Sequence, residues 1–139
     1  MSELEALQVA LAAEHAAVHV YGVLGAQTSR TAQPALSASL QDAYAQHRAR
    51  RDRVIAAVHD LGGTPVGPEA AYDLPERLDD PVAVSRRARE LEQAAAETYV
   101  FVVASTTGVR RARAIVDLTD AAVRALAFGA SPETLPGIG

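Results

Sequence analysis

GGTPVGPEAAYDLPERLD, residues 62–79, decides how this chain is connected. Its three prolines and three glycines deny the backbone a continuous hydrogen-bonded element, because proline lacks the N–H donor and glycine is too permissive to hold one conformation. The stretch therefore reads as a connection. Fully extended, at about 3.3 Å per residue, it can travel the roughly 40 Å of a 26-residue helix. A structureless loop of this length is unusual in a compact domain unless it has a spanning job.

On both sides lie long segments with apolar residues at spacings of three and four, the signature of a helix with one buried face. The first helix is predicted over about 3–27, where Ser2 and Glu5 match the S-x-x-E capping box and Leu4, Leu7, Leu11, Glu14, Val18 and Tyr21 form a stripe. The second runs over about 34–61, from Pro34 to the stop at Gly62, with Leu36, Leu40, Ala43, His47, Arg51, Val54, Val58 and Leu61 aligned. Asp79 or Asp80 followed by Pro81 opens the third, about 80–104, whose stripe is Ala88, Glu92, Ala95, Tyr99 and Val102. The fourth, about 108–128, aligns Val109, Val116, Asp120, Val123 and Ala127 before Gly129. Residues 130–139 are left as a C-terminal tail. Four helices with one bundle-length crossover between the second and third describe a ferritin-like four-helix bundle, not the up-down-up-down variant with short loops.

Composition agrees with an all-α chain of one domain, residues 1–139. It is rich in alanine, poor in aromatics, and carries 13 arginines with no lysine. The absence of cysteine excludes disulfides, thiolate nucleophiles and cysteine-ligated zinc or iron–sulfur sites. A net charge of −4 argues against nucleic-acid binding, and the locally basic His47–Arg53 segment reads as a solvated helix face. The acidic MSELEALQVA start lacks a basic n-region, and no apolar run approaches the roughly 18 residues of a membrane span. A cytoplasmic protein with no membrane partner is the expectation. No P-loop, dinucleotide fingerprint or nucleophile elbow is found.

The stripes themselves hold the chemistry. Glu14, His47, Glu92 and Asp120 each sit near the middle of a different helix, at positions where a bundle normally places Leu or Ala. Charged groups in a core must satisfy one another or a ligand. Two readings follow. In one, the four form a buried polar network closed by Arg51, one turn beyond His47, and Arg124, one turn beyond Asp120, and no cofactor is needed. In the alternative, one nitrogen and three carboxylates hold a single divalent metal, Fe or Mn, in a metal-dependent oxidoreductase.

LAAEHAAVHVYGVLGA at 11–26, AYAQHRARRD at 43–52, the Gly-Thr-Pro-Val and Ala-Tyr-Asp-Leu-Pro pieces of the loop, and LTDAAVRA at 118–125 resemble the actinobacterial ferritin-like domain of unknown function called DUF4439. The resemblance implies a ferritin-like bundle and brings no established activity. Ferritin-like di-iron proteins use two lone glutamates and two Glu-x-x-His pairs. Here the equivalent spacings are Tyr44-x-x-His47 and Asp117-x-x-Asp120, which departs from a complete di-iron set.

His15 and His19 have the i, i+4 spacing of a metal clip but lie off the core stripe with no glutamate between them, and read as surface residues. Tyr21, Tyr44 and Tyr99 lie on or beside the stripes and read as packing residues within hydrogen-bonding reach of the polar centre. Helix three ends in Tyr99-Val100-Phe101-Val102-Val103-Ala104, apolar on every side, so either the tail Leu135–Ile138 or a second subunit must cover its outer face. A homodimer is the expectation. The biochemical role reads as unknown, and as structural or interactive in preference to enzymatic.

Overall fold

The helix ends are set by local chemistry, as the computed structural model of residues 1–138 shows. Four helices form: α1 (Glu3–Gln27), α2 (Pro34–Asp60), α3 (Pro81–Ser105) and α4 (Gly108–Ala127), with no strand among the described residues. At the start of α1 the Ser2 N–H donates to the Glu5 carboxylate at 2.7 Å, and the Glu5 N–H donates to the Ser2 hydroxyl at 3.1 Å. Both orphan donors are thereby satisfied. The α2 helix stops because Gly62 adopts a φ of 77°, letting the Gly62 and Gly63 N–H groups return to the carbonyls of His59 and Val58, each at 2.9 Å. At α3 the Asp80 side chain accepts from the Val82 N–H at 3.0 Å, with Pro81 in the first turn.

The connection after α2 spans the bundle. Gln8, near the start of α1, clamps it by donating to the Thr64 carbonyl at 2.7 Å and accepting from the Val66 N–H at 2.9 Å. Further along α1, His15 Nε2 meets the Val66 carbonyl at 2.9 Å, and the His19 ring lies 5.3 Å from that of Tyr72. Tyr72 and Leu78 then pack on the cluster containing Val20, Leu24, Leu40 and Val84 at the other end of the bundle. His15 and His19, read from the sequence as surface residues, are anchors for this segment.

The crossing fixes every direction that follows. Because α3 starts beside the end of α1, it runs antiparallel to α1, with Ala88 near Leu24 and, later, Tyr99 and Val102 among Leu7, Ala10 and Leu11. The α4 helix starts where Arg110 reaches Glu3 and ends where Phe128 stacks 6.2 Å from Tyr21. The order is up, down, down, up. Packing is close between α1 and α2, between α1 and α3, and between α3 and α4, whereas α2 and α4 are joined chiefly by long side chains.

Two expectations need correction here. The inner stripe of α4 is Ala114, Asp117, Ala121 and Ala125, not the valines: Val109, Val116 and Val123 face outward, Val109 being 86% exposed. The cause is close approach, since Ala121 packs against Ala95 and Ala96 of α3, and a wall that tight takes small residues in preference to apolar bulk. The second concerns α1. Its best 18-residue window has a mean hydropathy of 1.3, so by length and composition it could cross a membrane, yet here it packs as a core helix with Glu14 on its buried face.

The tail turns back on α3. Gly137, with φ of 80°, lies so close to the Ala96 carbonyl that an added Cβ would sit 2.7 Å from its oxygen, a position only glycine tolerates. Leu135 and Ile138 remain exposed, as does Phe101 of α3. Gly139, the last residue of the tail, lies outside the described residues.

Candidate functional site

Antiparallel α1 and α3 carry the same spacing, Glu14 with Tyr21 and Glu92 with Tyr99, seven residues or two turns apart. With the helices opposed, each acid falls level with the other helix's phenol. The Tyr21 hydroxyl donates to Glu92 at 2.7 Å and the Tyr99 hydroxyl donates to Glu14 at 2.8 Å. His47 of α2 enters between the acids, its Nδ1 at 2.6 Å from Glu14 and its Nε2 at 2.8 Å from Glu92. The result is a continuous Tyr–Glu–His–Glu–Tyr relay. Glu14, His47 and Glu92 are each at most 1% exposed.

Electrostatics follows from that geometry. Burial alone would lower the His47 pKa, but hydrogen bonds to Glu14 and Glu92 and the charges of both more than offset it, raising the pKa to about 9. The ring is therefore an imidazolium donating from both nitrogens. Burial first, then the charge and hydrogen bond of Glu92, pushes the Tyr21 phenol far above its usual range; burial and Glu14 do the same to Tyr99. Both phenols stay protonated and serve as donors.

A second cation closes the centre. Arg50, 1% exposed, places Nη1 3.7 Å from Glu14, Nε 3.5 Å from Asp117 and Nη2 2.6 Å from Asp120, with its guanidinium 5.4 Å from the Tyr99 ring centroid. Arg124 lies further out, between Asp42 at 2.7 Å, Asp120 at 3.3 Å and Glu92 at 3.8 Å.

Of the four residues singled out from sequence, the structure brings Glu14, His47 and Glu92 into direct contact. Asp120 does not join them. Its side chain is 33% exposed and meets the centre only through Arg50 and Arg124, while Asp117, three residues earlier, is the buried acid of α4. Nor is Arg51 the closing cation: it pairs with neighbouring Asp52 at 2.9 Å, and Arg50 takes the inner place. From His47 a helical stripe may continue at either i+3 or i+4, and the true one takes the shorter step to Arg50 before Val54. Tyr44 stays outside the relay and packs beside Gly22.

Both imidazole nitrogens of His47 hold carboxylates, and Arg50 adds a fixed positive charge at the same place. What the arrangement does chemically is balance charge in a dry core.

The fold has a close solved counterpart. The crystal structure of a conserved hypothetical protein from Mycobacterium tuberculosis is similar to this chain with a TM-score of 0.81 and 33% identity, over 95% of this chain and 94% of that one. Among curated proteins, none matches. Residues 6–139 match one family model, so that the chain belongs to the family described as Domain of unknown function (DUF4439).

Proposed function

We propose that this protein is a ferritin-like bundle that works without a resident metal, as a non-enzymatic structural or interaction module of the cytoplasm. The long crossover between α2 and α3 and the up, down, down, up order support the ferritin-like reading. One observation carries the non-metal reading: His47 donates from both ring nitrogens to Glu14 and Glu92, with Arg50 buried alongside. Organic cations occupy the electrostatic role that a metal has in di-iron relatives of the fold. Elemental analysis of protein purified without chelator is expected to find no stoichiometric iron or manganese, and adding either should leave the melting temperature unmoved. Stoichiometric metal with a metal-dependent rise in melting temperature would instead favour the alternative, a metal-dependent oxidoreductase.

A homodimer is part of the same reading. Val109, Val116 and Val123 of α4 recur every seven residues on its outer face, each more than half exposed, which is the pattern of a helix awaiting another helix. Scattering that gives only the monomer mass at tens of micromolar would refute it.

A further inference from the structure

The outward face of α4 is ordered. Val109, Ala112, Val116, Thr119, Val123 and Leu126 follow steps of three and four along the helix, and all six are exposed. On the opposite side, Ala114 and Ala121 of α4 and Phe128 at its end are buried against the bundle. A mainly apolar seam repeating every 3.5 residues is how a helix pairs lengthwise with another helix. Scattered apolar side chains on a surface need no explanation, but a row of six in register on one 20-residue helix does.

The residues flanking the seam select its occupant. Arg113 and Asp120 lie along one flank, Ile115 and Ala122 along the other. In a two-fold pair of antiparallel helices each flank meets its own copy, because the axis stands perpendicular to both helices. Val109, Ala112 and Val116 then fall level with the partner's Leu126, the partner's Val123 and the partner's Thr119. Arg113 meets the partner's Asp120 and Ile115 meets the partner's Ala122, each twice. In a parallel pair the opposite flanks meet, and Asp120 would be pressed against the partner's Ile115, a charge against hydrocarbon. Charge and size therefore both select the antiparallel copy. Arg113 is about half exposed and Asp120 one-third exposed, so both can take a further partner while keeping Asp117 at 3.3 Å and Arg50 at 2.6 Å. Ala122 stands with Leu118, Thr119 and Val123 on the wall of a groove of about 510 Å³ between α4, α3 and the tail, which gives a branched side chain room to enter.

We propose that two copies of this chain join through α4, antiparallel about a two-fold axis beside residues 117–118, with Arg113 paired to the partner's Asp120 and Ile115 seated at the partner's Ala122. This pairing rests on the homodimer proposed from the exposed valines and adds which way the two copies run and in what register. The interface is isologous, so assembly closes at two copies.

The chain lacks cysteine, so introduced cysteines report the pairing directly. Ala112 and the partner's Val123 are level, whereas Ala112 and the partner's Ala112, like Val123 and the partner's Val123, stand about 16 Å apart along the helices, beyond disulfide reach. Ala112→Cys and Val123→Cys should each stay uncross-linked alone and form a mixed disulfide when the two variants are exchanged under reducing conditions and then oxidised. Val116→Glu, at an exposed site near the axis, should raise the dimer dissociation constant at least about a hundredfold in sedimentation, with circular dichroism showing the fold intact. Self-cross-linking of either cysteine variant, no mixed disulfide, or a folded Val116→Glu dimer as tight as the native one would each overturn this pairing and leave the homodimer standing. A native chain that sediments only as a monomer at tens of micromolar would overturn both.

Discussion

Where α1 meets α3, Ala10, Ala17 and Ala88 are fully or nearly fully buried, and the backbones come close enough for the Tyr21 hydroxyl to lie 3.2 Å from the Ala88 carbonyl. Where α2 meets α4, three arginine–aspartate rungs do the joining: Asp42 with Arg124 at 2.7 Å, Arg50 with Asp120 at 2.6 Å, and Arg53 with Asp117 at 3.2 Å. Outside the two acid–phenol pairs, the first contact draws on apolar burial and dispersion, which carry no charge to screen or titrate. The second draws on charge, whose worth depends on how dry each rung is. Position, not count, ranks the rungs.

That ranking can be broken most forcefully at Arg50. Arg50→Ala removes the cation shared by Glu14, Asp117 and Asp120 and empties a core position, and urea denaturation is expected to show a loss of about 3–5 kcal/mol. A loss below about 1 kcal/mol, the scale of surface pairs, would place this rung with its exposed neighbours.

The pH dependence comes next. The folded pKa of His47, about 9, lies above its ordinary value of 6.5, so its stabilisation is complete below pH 6.5 and is lost as pH rises through 9. A displacement of that size corresponds to on the order of 3 kcal/mol. Melting temperatures measured from pH 6 to pH 10 should fall across that window. A flat profile would mean that the imidazole is neutral and the relay is wired differently.

Smaller effects sharpen the contrast. Tyr21→Phe and Tyr99→Phe each remove one hydrogen bond to a buried acid and should cost about 1–3 kcal/mol, by nearly equal amounts because the two sites mirror each other. A large inequality would show that one acid is held mainly by its arginine. Least of all, Asp42→Asn on the exposed end of the ladder should cost less than about 1 kcal/mol, and the difference should vanish in 1 M salt.

Much of this was legible beforehand, for reasons visible residue by residue. The prolines and glycines of 62–79 mark the gap between α2 and α3, and the length of that gap carries the crossover. Glu14, His47 and Glu92 stood out because polar residues interrupt otherwise clean stripes. The α4 register was misjudged because its inner face is alanine and aspartate while its outer face is valine, so hydrophobic size pointed the wrong way. Arg50 was missed for want of a register more exact than three-or-four. The repeated Glu-x6-Tyr spacing was a readable signal for the relay, but its meaning needs the helices to be antiparallel, which only the crossover dictates.

That repeated spacing has a mechanical consequence. An alanine surface offers nearly the same fit after sliding by one helical turn, roughly 5.4 Å, so it keeps no memory of where it should stop. Two acid–phenol couples set two turns apart act together as a detent: a one-turn slip of α3 along α1 disengages both at once and leaves two carboxylates facing hydrocarbon. The smooth wall lets the helices find each other, and the mirrored couples tell them where to halt.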